Sequence, residues 1–204
     1  MKHKKINASI FFLASLALVL LSFKQEQSFF IKLAQSGIAQ TKLQVTYVPA
    51  YVQINYPNGD VPAHTGVCTD LVIRAYRTLG IDLQKEVHED MVKNFNAYPK
   101  LWKLKAPDTN IDHRRVPNLM TFFKHKKAVL PISTNAADYK PGDLVTWNLQ
   151  NQKTASGITH IGIVTDRKAA DGKHYLMAHN IGSGNQLEDM LFSYTIIGHY
   201  RFSL

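Results

Sequence analysis

One cysteine occurs in the 204-residue chain, Cys68, within Gly66-Val67-Cys68-Thr69-Asp70-Leu71-Val72. A cysteine acts as a nucleophile through its thiolate, so it needs a base to take the proton and a third group to orient that base. Nine histidines are available. His3 falls in the leader, His88 on a helix flank, His125 in a lysine run and His174 in a turn. His160 and His179 differ, because each lies in a strand pattern where a rigid element can hold it. If those strands pair as a hairpin, the two imidazoles become neighbours on one face. Cys68, His160 and His179 then serve as nucleophile, base and orienter. Asn180 competes with His179 for the third place, since successive strand residues point to opposite faces. One Cys and two His also suit zinc, but they lack paired short spacing, so neither a metal nor a cofactor is expected. A buried cysteine filling a core gap is the other use of Cys68.

Leu71, Val72, Ala75 and Leu79 recur at helical spacing and Gly80 stands where a helix stops, which predicts a helix over 67–79. The preceding Tyr56-Pro57-Asn58-Gly59-Asp60-Val61-Pro62 is turn chemistry. Cys68 therefore falls at or just inside a helix N-terminus, where free N–H groups and the helix dipole favour thiolate over thiol. A second helix follows Asp82 as N-cap, with Leu83, Val87, Met91 and Phe95 on one face, and ends near Tyr98-Pro99. Pro117 opens a third, with Leu119, Phe122 and Phe123 as its apolar face. Phe29, Phe30, Leu33 and Ala34 predict a short lead-in helix, and 45–54 extended chain. From Tyr139 the pattern changes to strands at 144–147, 158–165, 175–179 and 194–202, with 181–185 a Gly/Ser-rich loop. Helices followed by a run of strands argue for an α+β fold, with N-terminal helices packed on an antiparallel sheet.

Lys2, His3, Lys4 and Lys5 precede an apolar run over 10–21 interrupted only by Ser15. That is the pattern of an export signal. The stretch 6–23 also approaches the length that spans a bilayer, so an uncleaved anchor is the alternative. Residues 1–27 are read as a signal peptide or N-terminal membrane anchor, and 28–204 as a single domain. The chain is 45% hydrophobic and 19% charged, which is globular rather than disordered. Its formal charge is +9, with Lys2, Lys4 and Lys5 in the leader. A basic balance suits an acidic partner. Nucleic acid is not expected, because there is no recognition motif, few aromatics cluster, and export argues against it. A lone cysteine cannot form an intramolecular disulfide, and in an oxidising compartment it is explained by use or by deep burial.

Gly142-Asp143-Leu144-Val145-Thr146-Trp147, His160-Ile161-Gly162-Ile163-Val164 and Leu176-Met177-Ala178-His179 resemble the strand half of NlpC/P60 cysteine peptidases. Those enzymes carry a Gly-Asp-Leu strand, a His-x-Gly-Ile/Val strand and a third strand ending in a polar residue, often His. They also place a Tyr twelve residues before the nucleophile, as Tyr56 stands before Cys68. The stretch from about 45 to 202 further resembles the DUF1287 family of exported bacterial proteins. The matching segments are Gly66-Val67-Cys68-Thr69-Asp70, His88-Glu89-Asp90-Met91 and Asn110-Ile111-Asp112-His113-Arg114-Arg115-Val116-Pro117-Asn118-Leu119. The resemblance implies a papain-like, NlpC/P60-type fold and a hydrolase of amide bonds, in many relatives within peptidoglycan stem peptides. One departure concerns the nucleophile: NlpC/P60 enzymes usually read Asp-Cys-Ser, with the Asp helping to hold the substrate amine. Here Val67 precedes Cys68 and Asp70 follows two residues later.

The expected protein is an exported cysteine hydrolase of the periplasm or cell envelope, acting on peptidoglycan or another carboxylate-bearing envelope peptide. His160 takes the thiol proton, Cys68 attacks an amide carbonyl to give a thioester, and water releases the acyl group. Backbone N–H groups at the helix start, helped by Tyr56, are expected to hold the oxyanion, with Thr69 and Asp70 contacting substrate beside the nucleophile. Asp112, His113, Arg114 and Arg115 are expected to bind substrate carboxylates, which an Arg fork matches, although the cluster also suits a loop held by its own ion pairs. The alternative function is a non-catalytic envelope-binding module that retains the fold.

Overall fold

A computed structural model describes the backbone of residues 8–204 and the side chains of residues 24–204. Of the leader assigned to residues 1–27, residues 1–7 lie outside the described residues and 8–23 are described in backbone alone. Helix α1 runs unbroken over Ala8–Thr41, where a short lead-in helix near 29–38 was expected. No Gly or Pro occurs in it before Gly37, so no residue type stops it earlier. Its later turns belong to the core: Phe30, Leu33 and Ala34 are buried. Gly37 lets the helix lie against the sheet, since a Cβ there would meet Ile163 Cδ1 at 3.2 Å and Ala178 Cβ at 3.3 Å.

The chain then forms β1 (Thr46–Tyr47), β2 (Thr65–Gly66), α2 (Cys68–Arg77), α3 (Leu83–Asn94) and α4 (Val116–His125). Asp82 caps α3, its side chain accepting from the Gln84 N–H. Strands β3 (Val129–Leu130), β4 (Leu144–Asn148), β5 (Thr159–Lys168), β6 (Tyr175–Ile181), β7 (Gly184–Glu188) and β8 (Thr195–Tyr200) follow. Among the described residues they make a six-stranded sheet of order β3-β8-β4-β5-β6-β7, every pairing antiparallel. β1 and β2 pair in parallel beside it.

Period-two alternation divides the sheet residues between two cores. Leu144, Ile161, Ile163 and Ala178 pack with α1, α2, α3 and α4 around Leu33, Leu71, Val72 and Leu119. Val145, Trp147, Val164 and Met177 point the other way, against Tyr139, Met190 and Leu191, and Trp147 Nε1 donates to Leu191 O at 3.0 Å. The mixed α+β architecture is thus a helical layer on one face of the sheet and a thin loop layer on the other. Two strands depart from the sequence expectation. β3 is two residues on the β8 edge, and β7 occupies residues read partly as loop. Gly184-Asn185-Gln186-Leu187-Glu188 is a polar edge strand with no apolar alternation to announce it.

Candidate active site

Cys68 is the first residue of α2. Val67 precedes it in extended backbone and offers no capping side chain, so Asp70 does that work: its Oδ2 accepts the Val67 N–H at 2.7 Å. The backbone N–H groups of Ile161, Thr69 and Cys68 point at the sulfur. Ile161 stands one residue before β5 begins its pairing with β6 at Gly162↔His179, so the thiol meets β5 at the start of that pairing. The helix dipole does not decide the thiol's charge. Burial pushes its pKa up to about 12, the Asp70 carboxylate adds to this, and the three N–H groups lower it by less. The expected bias toward thiolate is therefore corrected to a protonated resting thiol.

His160 and His179 rise from the same face of adjacent strands. His160 is in register with Trp147, and the two rings lie 5.8 Å apart. His179 is in register with Gly162, whose missing side chain leaves its ring free to reach His160; a Cβ at Gly162 would meet His179 Cβ at 3.2 Å. His160 Nε2 lies 3.1 Å from His179 Nδ1, with ring planes at 89°. His179 Nε2 in turn lies 3.1 Å from Glu188 Oε2 on β7. Burial, then the neighbouring His179, lowers the His160 pKa to about 3. Burial also lowers that of His179, while the Glu188 carboxylate opposes it. Asn180 points away and donates to Asn185 Oδ1 at 2.7 Å. No hydrogen bond joins Cys68 Sγ to His160. The Ile161 amide, peptide-linked to His160, is what connects them.

Over the sulfur lies a cleft of about 380 Å³ whose walls include Tyr47, Tyr51, Trp102, Arg114 and Arg115. Tyr47 is half-exposed, and burial followed by the Cys68 and Asp70 side chains raises its phenol pKa. The Tyr51 hydroxyl is held by Asp108 at 3.2 Å and by Asn110 at 2.8 Å. Arg115 stacks over the Trp102 ring at 4.1 Å and reaches Asp112 at 3.3 Å.

The family model described as "Domain of unknown function (DUF1287)" matches residues 34–202. The chain belongs to the DUF1287 family. A relative from Escherichia coli (strain K12), described as "Uncharacterized protein YijF", is 52% identical over 172 residues, which is 84% of this chain and 81% of the relative. A solved structure titled "Structure of NlpC1 from Trichomonas vaginalis" is similar over 81% of this chain at 16% identity and a TM-score of 0.41. The chain spans 42% of that structure's own length.

Several residues of this DUF1287 domain stand apart from the roles expected of them. Tyr56 does not line the cleft. It lies against α3, where its ring packs 5.0 Å from that of His88, because Gln84 clamps the turn by donating to Asn55 O at 2.8 Å and accepting from the Gly59 N–H at 2.8 Å. Thr69 is buried and donates to Arg114 O at 3.0 Å, so it faces the fold and not a substrate. Asp70 is buried under a bidentate Arg114 at 2.8 and 3.1 Å, which leaves neither carboxylate oxygen for a substrate amine. Asp112 is buried, taking the Asp108 N–H and Arg115. His113 is buried, and desolvation lowers its pKa to about 3, so it carries no charge for a carboxylate. Arg114 lines the cleft but is spent on Asp70 and on Ala50 O at 3.2 Å. Of that cluster, Arg114 and Arg115 line the cleft, with Arg114 paired to Asp70 on α2 and Arg115 to Asp112. Sequence reasoning missed Tyr47, Tyr51, Trp102 and Glu188. Tyr47 and Tyr51 lay in a stretch read only as extended chain, and no periodicity marks the other two.

Proposed function

We propose that this DUF1287 protein is an exported cysteine hydrolase of amide bonds, with a papain-like arrangement of Cys68, His160 and His179. One observation carries the reading: a cysteine at a helix N-terminus floors a cleft with its sulfur facing the N–H of Ile161, and the residue before Ile161 is a buried imidazole hydrogen-bonded to a second imidazole. With Nε2 engaged by His179, His160 keeps Nδ1 as its free base position. Because thiol and imidazole both rest neutral, proton transfer accompanies attack: the Cys68 proton passes to His160 as sulfur bonds to the amide carbonyl. His160 then gives that proton to the leaving amine. Water hydrolyses the thioester with His160 again as base. Tyr47 and the N–H groups around Cys68 are the donors available to the oxyanion. Arg115, stacked on Trp102, offers a guanidinium to a substrate carboxylate. The substrate class that fits is a carboxylate-bearing envelope peptide such as a peptidoglycan stem. The basic leader and apolar run support delivery to the periplasm, by signal peptide or by membrane anchor.

The full-length protein incubated with peptidoglycan should release new amine-bearing fragments, read by mass spectrometry, and Cys68→Ala should release none. A second reading, a non-catalytic envelope-binding module, is favoured by the neutral resting thiol and the missing Cys68–His160 hydrogen bond. Retained pull-down of peptidoglycan by both forms with no cleavage by either would establish that reading instead.

A further inference from the structure

We infer that Glu188 is a positioning residue that sets the tautomers of both imidazoles, and so decides which nitrogen of His160 is free to take the thiol proton. The inference rests on the hydrolase reading of Cys68 and His160, and it assigns a role to a residue outside the triad. The argument is one of donors and acceptors. An ionised carboxylate only accepts, so the contact between Glu188 Oε2 and His179 Nε2 at 3.1 Å puts the proton on Nε2 of His179. A neutral imidazole with its proton on Nε2 is an acceptor at Nδ1. The 3.1 Å contact from His179 Nδ1 to His160 Nε2 therefore needs the proton on Nε2 of His160. That leaves Nδ1 of His160 as the bare nitrogen. Each step has one consistent direction, and the direction is fixed at the Glu188 end.

Glu188 is itself held in place. With its amide turned so that the nitrogen faces Glu188 and the oxygen faces Ser183 Oγ, Gln186 donates to the carboxylate and accepts from the hydroxyl. The row Ser183, Gln186, Glu188, His179, His160 then has every donor matched to an acceptor. It crosses from the edge strand β7 to β5, from a half-exposed carboxylate to a buried ring. Glu188 does not line the cleft over Cys68. Its influence on the reaction runs through the two rings and not through contact with substrate.

The test is the tautomer, which is independent of turnover. Long-range ¹⁵N–¹H correlation spectra of the full-length protein should show His160 and His179 both protonated on Nε2 with Nδ1 bare. Glu188→Lys puts a donor opposite His179 Nε2, and both rings should reverse to Nδ1–H, leaving His160 no free base toward the thiol. Glu188→Ala, the milder change, should let both tautomers appear. In hydrolysis Glu188→Lys should lower kcat by about 100-fold with KM within about twofold, and Glu188→Gln, which can still accept through its amide oxygen, should recover most of the loss. A wild-type His160 carrying its proton on Nδ1, or tautomers that stay put in both Glu188→Lys and Glu188→Ala, overturns the inference. Tautomers as drawn in a protein that cleaves nothing uphold the relay and discard the hydrolase reading.

Discussion

His160, His179 and Glu188 stand on three adjacent antiparallel strands, whereas Tyr47, Tyr51, Trp102 and Arg115 come from short or irregular segments. The strand-borne groups are placed by ladder register: Trp147↔His160, Gly162↔His179 and Met177↔Glu188 fix their spacing before any side-chain contact is made. Apart from Tyr47, which pairs with Gly66 in the two-residue β1–β2 ladder, the cleft walls have no such ladder. They depend on individual polar clamps, such as Gln84 donating to Asn55 O and Thr109 O, and Asn110 accepting from the Ile54 N–H. A reacting group tolerates little displacement, and the sheet supplies that rigidity. Loops that line a cleft can vary without disturbing the sheet beneath them.

The contrast can be broken most sharply at the strands. His160→Ala should lower hydrolysis by about 10³-fold or more, comparable to Cys68→Ala, and His179→Ala by about 100-fold, with thermal melts showing each variant folded. Full activity in folded His160→Ala would remove the sheet from the chemistry altogether.

Asp70→Ala tests the opposite kind of role. It strands the buried Arg114 guanidinium, so urea unfolding should show a loss of about 3–5 kcal/mol. A stable Asp70→Ala with altered substrate preference would return Asp70 to the cleft. Among the loop residues, Tyr47→Phe should lower kcat by about 10- to 100-fold if its phenol serves the oxyanion, while Tyr56→Phe stays within about twofold of wild type. Equal effects at the two tyrosines would erase the distinction between a wall residue and one lodged against α3.

Two pH measurements probe the buried groups. His160 and His113 have folded pKa values near 3 against 6.5 for the free group. Between those values the unfolded chain binds more protons than the native one, so stability falls as pH drops from 6.5 toward 3. Each histidine should contribute up to about 1.4 kcal/mol per pH unit across that window, and His113→Gln should remove about one proton's worth of slope. Alkylation gives the smallest effect near neutrality. Iodoacetamide should label native Cys68 more slowly than a free thiol at pH 7, and the rate should climb about tenfold per pH unit to pH 10 without a plateau.

What the sequence disclosed follows the same division. Apolar residues on alternate positions of β5, Ile161 and Ile163, oblige His160 and Gly162 to share the other face, a pattern legible in the sequence. The α2 helix and its N-terminal cysteine were equally legible, from the spacing of Leu71, Val72 and Ala75. Glu188 was not, because an edge strand of polar residues has no apolar rhythm. Tyr56 was misplaced because twelve residues of separation along the chain say nothing of direction, and the Gln84 clamp turns that segment toward α3. The charge state of Cys68 escaped for a further reason. A helix dipole is a local property, readable from sequence, but desolvation depends on everything packed around the sulfur.

Burial of that sulfur bears on how the protein ages. It is the thiolate that attacks peroxide and disulfides, so a thiol held protonated by its surroundings is oxidised slowly. Slowness is valuable here because the chain has no second cysteine. A sulfenic acid formed at Cys68 would find no neighbouring thiol to condense with and be recycled, and further oxidation to the sulfinic acid would be permanent. For the nucleophile proposed above, burial of the sulfur would therefore preserve the thiol in air.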